Sequence, residues 1–170
     1  NGEAYTDDLP LGVYNIIERK TINGFALDDS VHTVNLAYAN QETEVVVEEI
    51  TIANERQKVS LTVAKKAEGK DTLLAGAQFG LYAAEDLTAA DGTVIPKDGL
   101  LEIANCNENG NITFKTDIPV GAKLYVREIA AEEHYVLSDE KHPVIFDYAG
   151  QDTALVEIKA NGGEAIKNDI

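Results

Sequence analysis

An imperfect internal repeat constrains this chain more than any other feature. The order Asn1-Gly2, Asp8-Leu9-Pro10-Leu11-Gly12, Glu18, Gly24-Phe25-Ala26-Leu27, His32-Thr33-Val34, Tyr38-Ala39-Asn40-Gln41 and Ile52-Ala53-Asn54 recurs further along. The second copy reads Asn109-Gly110, Asp117-Ile118-Pro119-Val120-Gly121, Glu128, His134-Tyr135-Val136-Leu137, His142-Pro143-Val144, Tyr148-Ala149-Gly150-Gln151 and Ile166-Lys167-Asn168. The offset is roughly 110 residues, far above the 20 to 50 of a solenoid repeat, so the copies are expected as tandem domains. Residues 58–108 have no counterpart before Asn1, so the first copy reads as the C-terminal half of a domain. The sequence contains no Met, so it is expected to be a piece of a longer translation product.

Between the repeat landmarks the pattern is short runs of period-two alternation separated by turn residues, the signature of an all-β sandwich or barrel. Val59, Leu61, Val63 and Lys65 share one face of a strand. The stretch Leu73-Leu74-Ala75-Gly76-Ala77-Gln78-Phe79-Gly80-Leu81-Tyr82 reads as a bend and a second strand, and Asp91-Gly92, Asp98-Gly99 and Asn109-Gly110 read as turns. Strands are expected at Leu124–Glu128, Val144–Tyr148, Ala154–Ile158 and Glu164–Asn168, with one helical turn over Ala83–Ala90. Glu55-Arg56-Gln57-Lys58 is expected to be a short polar link, too short for free rotation.

Composition excludes several classes. Fourteen Lys and Arg against 30 Asp and Glu give a net charge of −16, which disfavours nucleic acid and anionic membrane surfaces as partners. No apolar run is long enough to span a bilayer. Cys106, the single cysteine, cannot form an internal disulfide and reads as a loop thiol. No metal site is expected: His32, His134 and His142 are dispersed, and Asn105-x-Asn107-x-Asn109-Gly110 offers only uncharged amides, with Thr116 where a calcium loop has Glu. No nucleotide-binding or hydrolase motif is present, and no cofactor is implied. Val94-Ile95-Pro96-Lys97 lacks the flanking residues of a polymerisation motif, and there is no Leu-Pro-x-Thr-Gly sorting signal. The acids Glu42, Glu44, Glu48 and Glu49 around Val45-Val46-Val47 read as solvated surface.

Parity places three polar residues inward. Lys65 continues the face of Val59, Leu61 and Val63; Glu128 that of Leu124 and Val126; Asn168 that of Ile166. Burying an uncompensated Lys or Glu costs several kcal/mol, so these positions need a reason. Parity alone fits a plain structural reading: an edge position, or a buried ion pair capped by an amide.

Residues 59–168 resemble a complete Cna B-type domain, the SpaA-like, prealbumin-like family of Gram-positive surface proteins and pilins. The resemblance is carried by Val59-Ser60-Leu61-Thr62-Val63-Ala64-Lys65, Leu74-Ala75-Gly76-Ala77-Gln78-Phe79-Gly80-Leu81-Tyr82, Asp117-Ile118-Pro119-Val120-Gly121, Tyr125-Val126-Arg127-Glu128 with Tyr135, and Ile166-Lys167-Asn168. Residues 1–56 resemble the second half of the same domain through Leu9-Pro10-Leu11-Gly12, Tyr14-Asn15-Ile16-Ile17-Glu18, Gly24-Phe25 and Ile52-Ala53-Asn54. The resemblance implies tandem prealbumin-like or Ig-like β-sandwiches: 1–56 the C-terminal half of one domain, lacking its N-terminal strands, and 57–170 a complete one.

It further implies chemistry. In the family, a Lys on the first strand and an Asn on the last condense into an intramolecular isopeptide bond, with an acid between them moving protons. Carried over, these are Lys65, Asn168 and Glu128. Desolvation favours the neutral forms of buried amines and carboxyls, which makes the amine a nucleophile. Ammonia leaves and an amide remains, once per chain, so the protein is not expected to act as an enzyme on other molecules. Lys66, the alternative nucleophile, faces solvent by parity. In the first copy Glu18 matches the acid and Asn54 the amide, but the strand carrying their Lys is missing, and Lys20 follows Glu18 too closely to replace it. Asn54 is therefore an unpaired acceptor, one that a strand outside this sequence or a second chain could complement.

Two function classes follow: a structural stalk or pilin-like module of a cell-surface adhesin, extracellular and anchored to the cell wall beside neighbouring domains, or a ligand- or glycan-binding sandwich. The aromatic content of 6% and the absence of an aromatic cluster suited to sugars favour the stalk. A prealbumin-like domain attached to a secreted enzyme is a third.

Overall fold

A computed structural model describes residues 2–69, 75–89 and 91–169. The first repeat contributes one antiparallel pair, β1 (Gly12–Ile16) and β2 (His32–Leu36). The second contributes β3 (Lys58–Ala67), β4 (Gln78–Ala83), β5 (Leu87–Thr88), β6 (Val94–Ile95), β7 (Leu100–Asn105), β8 (Asn111–Phe114), β9 (Lys123–Ala130), β10 (His142–Ile145), β11 (Leu155–Lys159) and β12 (Ile166–Asn168), with a 3-10 turn at Ala160–Gly163. The architecture is all-β.

Two sheets face each other in the second repeat. One has the order β10-β9-β4-β7; in the other, β3 pairs with β11, β12 and β8. The alternation of β3 buries Leu61, Val63, Lys65 and Ala67. Leu61 and Val63, with Ile112 and Phe114 from β8, pack against Phe79, Leu81, Leu124, Val126, Val144 and Phe146, so period-two patterning becomes a closed core. β3 runs parallel to both β11 and β12, with Val59 opposite Val156 and Lys65 opposite Ile166. The first and last strands of the repeat are thereby neighbours.

The repeat extends to strand register. Ile16 pairs with His32, Tyr14 with Val34 and Val13 with Asn35; the counterparts Val126–His142, Leu124–Val144 and Lys123–Ile145 pair identically. Loop hydrogen bonds recur too: Phe25 N–H to Ile22 O and Ala26 N–H to Glu55 O match Tyr135 N–H to Glu132 O and Val136 N–H to Asp169 O. Among the described residues, no strand of the first repeat corresponds to β3, with which β11 and β12 pair in the second; Val45–Asn54, although rich in β-branched residues, form no strand. Val45 and Val47 are exposed.

Three expectations need correction. The helical turn over 83–90 is not formed over its described part, 83–89. The Ala and Glu of that stretch favour helix, but Ala83 exchanges hydrogen bonds with Asp98 and Gly99, and β5 pairs with β6 across the Gly92 turn; tertiary pairing overrides propensity. The 55–58 link is not simply polar connector: Gln57 is 2% exposed, and its side chain donates to Gly150 O and Thr153 O and accepts from Ala149 N. Cys106 does lie in the loop after β7, but its thiol is buried with the core rather than exposed. The bend read at Leu73-Leu74 lies outside the described residues.

The two repeats touch through this junction. Gln57 N–H donates to Gly24 O, Leu27 N–H to Gln151 O and Tyr148 Oη to Phe25 O, while Gln151 Oε1 accepts from Thr21 N. Arg56 pairs with Asp117 across the same boundary.

Candidate functional site

Lys65, Glu128 and Asn168 meet inside the second repeat. β3 turns Lys65 inward, β9 presents Glu128, and β12 ends on Asn168; the three residues are 0%, 3% and 2% exposed. Lys65 Nζ donates a hydrogen bond to Asn168 Oδ1. Asn168 Nδ2 donates to Glu128 Oε2 at 2.7 Å, and Ser138 N–H donates to the same oxygen at 3.1 Å. Glu128 Oε1 lies 3.4 Å from Lys65 Nζ and, among the described residues, makes no hydrogen bond. One carboxyl thus spans both nitrogens, with Oε1 beside the amine and Oε2 on the carboxamide NH2.

The setting is apolar. Phe79 places its ring centroid 5.8 Å from Lys65 Nζ, and burial pulls the amine below its usual pKa of 10.5, against the opposing pull of Glu128. Burial also pushes the Cys106 thiol up, while the nearby Lys65 charge opposes it; sequence reading gave no reason to place Cys106 here. Lys66, the alternative nucleophile, is half-buried on the opposite face of β3, where it stands opposite Lys167.

The first repeat builds the same arrangement without the amine. Asn54 Nδ2 donates to Glu18 Oε2 at 2.5 Å and to Ala26 O, and Asp28 N–H donates to Glu18 Oε2 at 2.9 Å. The amide that holds each glutamate lies ten positions beyond it in both repeats. Glu18 and Asn54 are half-exposed where Glu128 and Asn168 are buried. Lys20 is exposed. Sequence reading missed the two backbone donors; the constant spacing of Glu18 to Asp28 and Glu128 to Ser138 was the available signal.

Elsewhere, Asn107 Oδ1 accepts from the amides of Asn109 and Asn111, which closes the turn read from Asn105–Gly110. His32 contacts Asp28, whose carboxyl is lowered to about 2 by hydrogen bonds from Ser30.

The sandwich and its strand order define a prealbumin-like β protein. The chain belongs to the SpaA prealbumin-like fold domain family, whose model matches residues 1–51 and 59–163. Both repeats are matched, and each match stops short of the asparagine. The TIE protein of Bacillus anthracis is similar over 95% of this chain and 26% of its own, with a TM-score of 0.59 and 21% identity. The pilus 2b backbone protein of group B streptococcus is similar over 96% and 51%, with a TM-score of 0.46 and 21% identity. The major pilin SpaA of Corynebacterium diphtheriae is similar over 87% and 40%, with a TM-score of 0.47 and 18% identity. The chain spans about a quarter of the first of these and about half or less of the others; the likeness is one of fold. None of the curated proteins matches the chain.

Proposed function

We propose that residues 57–170 form a self-crosslinking domain, following a partial domain at 1–56, and that together they serve as a load-bearing stalk module of a bacterial surface protein. The observation that carries this reading is the buried contact of Lys65 Nζ with the Asn168 carboxamide, spanned by Glu128. In the proposed reaction the pair holds one proton, with Lys65 as the neutral amine and Glu128 as the acid: the amine attacks Asn168 Cγ, Glu128 Oε2 gives its proton to Nδ2, and Oε1 takes one from Nζ, which leaves a neutral amide and restores the acid. The Nζ–Cγ bond forms, the Cγ–Nδ2 bond breaks, and ammonia leaves. The dry, pre-positioned site makes the step intramolecular, and Ser138 N–H fixes the carboxyl. Each molecule turns over once.

The bond would join positions 103 apart and stabilise the fold by about 4–5 kcal/mol if it restrains the unfolded chain as a disulfide does. A stalk places the module outside the cell, linked to neighbouring domains. The test is the intact mass of the denatured chain: wild type is expected one ammonia lighter than its sequence, and Lys65→Ala at full mass. A wild type at full mass would sink the crosslink and leave a buried polar cluster.

A further inference from the structure

We propose that the asparagine-rich turn between β7 and β8 positions Lys65 for its reaction. Asn107 is the positioning residue: it shapes the turn, and Gly110 at the end of the turn fastens the Lys65 backbone from the side away from Asn168. The inference rests on the crosslinking chemistry proposed above and adds residues that do not touch the reacting atoms.

One residue builds the turn. Asn107 Oδ1 accepts from Asn109 N–H at 2.9 Å and from Asn111 N–H at 3.0 Å, an asparagine side chain standing in for a backbone acceptor. Its own N–H donates to Asn111 O and its carbonyl accepts from Gly110 N–H, both at 2.9 Å. Gly110 is buried and takes a φ of 68°, a left-handed conformation that glycine adopts without steric cost. With Gly110 so turned, its carbonyl accepts from Lys65 N–H at 2.8 Å. The start of the turn is anchored beside the opposite sheet, where Cys106 N–H donates to Ala77 O and Cys106 O accepts from Gly76 N–H. The Asn107 side chain is exposed and fills no core space.

The place of this bond gives it a role in the reaction. The ladder of β3 with β8 ends at Ala64 opposite Asn111, and the Gly110 carbonyl adds one further bond, on Lys65 itself. Beyond that point Lys66 and Ala67 pair with β12 alone among the described residues, and β12 is the strand that carries Asn168. Without the turn, the end of β3 would be held only by its own reaction partner. Fraying there would carry Nζ away from Asn168 Cγ, and a misplacement of about 1 Å in a pre-positioned pair can cost about 100-fold in rate. The turn gives Lys65 a hold that does not depend on Asn168 being seated.

The test is the rate of ammonia loss in freshly refolded chain, followed by intact mass for wild type, Asn107→Ala and Asn107→Asp. Asn107→Ala is expected to react at least about tenfold more slowly. Asn107→Asp, whose carboxylate accepts the same two N–H groups, is expected to keep close to the wild-type rate. Urea unfolding and native-state hydrogen exchange are measured alongside in an Asn168→Ala background, where no crosslink forms. There Asn107→Ala is expected to stay folded, with exchange at least about tenfold faster at the Lys65 amide and unchanged in β9. A wild-type rate in Asn107→Ala overturns the inference. Equal slowing in both variants also overturns it, because the acceptor oxygen is then not what acts. So does slowing that the folded fraction of Asn107→Ala accounts for, which would make the turn a matter of stability alone. If wild type itself stays at full mass, the crosslink reading fails separately, and exchange decides the remainder: a quickened Lys65 amide supports the hold of the turn on Lys65, and an unchanged one sinks it.

Discussion

Glu18 and Glu128 make the same two hydrogen bonds, each accepting on Oε2 from an asparagine Nδ2 and from the backbone amide ten residues later. They differ in what faces Oε1. Beside Glu128 stands Lys65 Nζ at 3.4 Å, and the residue is buried; Glu18 is half-exposed. The contrast separates the architecture of an acid–amide pair from its enclosure.

Glu128→Gln preserves size and amide contacts but cannot carry the proton. It is expected to leave the chain at full mass and, through the missing crosslink, to lower its stability by several kcal/mol, on the scale of a lost disulfide. Lys66→Ala, on the other face of β3, is expected to lose ammonia as wild type does. Mass spectrometry with thermal unfolding reads both.

The pH dependence follows from the pair. Crosslinking needs the neutral amine of Lys65, which burial favours, so acid that protonates the amine is expected to slow the reaction in freshly refolded chain. In Asn168→Ala, which cannot react, the burial that lowers the Lys65 pKa in this chain is expected to persist. The folded state then binds fewer protons than the unfolded state, and stability is expected to rise as pH climbs from the lowered value toward 10.5. Chemical denaturation across that window should show the slope in Asn168→Ala and its loss in the crosslinked chain, where the amine no longer titrates.

Gly80 lies in β4 where a Cβ would stand 2.5 Å from Tyr82 Cε2 and 2.9 Å from Ile129 Cδ1. Gly80→Ala must displace a ring packed against Tyr125 at 5.1 Å. The expected cost is about 1–3 kcal/mol, as for overpacked cores, measured by thermal unfolding.

Gln57→Ala leaves Ala149 N–H, Gly150 O and Thr153 O without their side-chain partner. Unsatisfied groups of this kind cost about 1–3 kcal/mol. Hydrogen exchange is expected to quicken at 148–153 and at 19–27, which meet across the same junction, with little change at Lys65.

The sandwich was legible because alternation is local: Val59, Leu61, Val63 and Lys65 announce a buried face by parity alone. Glu128 and Asn168 were legible for the same reason, helped by the repeat. Gln57 was not, because its flanking Arg56 and Lys58 are exposed and its own burial comes from a loop more than 90 positions away. Cys106 sits among polar neighbours, yet Ala77 draws its backbone into the core. Ser138 was hidden for another reason: it acts through an N–H that nearly every residue carries.

The parallel pairing of β3 with β12 sets the direction in which tension runs. Lys58 begins β3, and Asn168 lies opposite Ala67 at its far end, so a pull on these two points acts along the strand axis and shears the pairing rather than unzipping it. With Lys65 joined to Asn168, the taut path passes along β3 from Lys58 to Lys65 and leaves at the last strand. Everything between those residues, the whole sheet of β10, β9, β4 and β7 included, hangs beside the line of force as a slack loop. Under the proposed crosslink the sandwich would be a sheath that keeps one bond dry, and a single strand the cable.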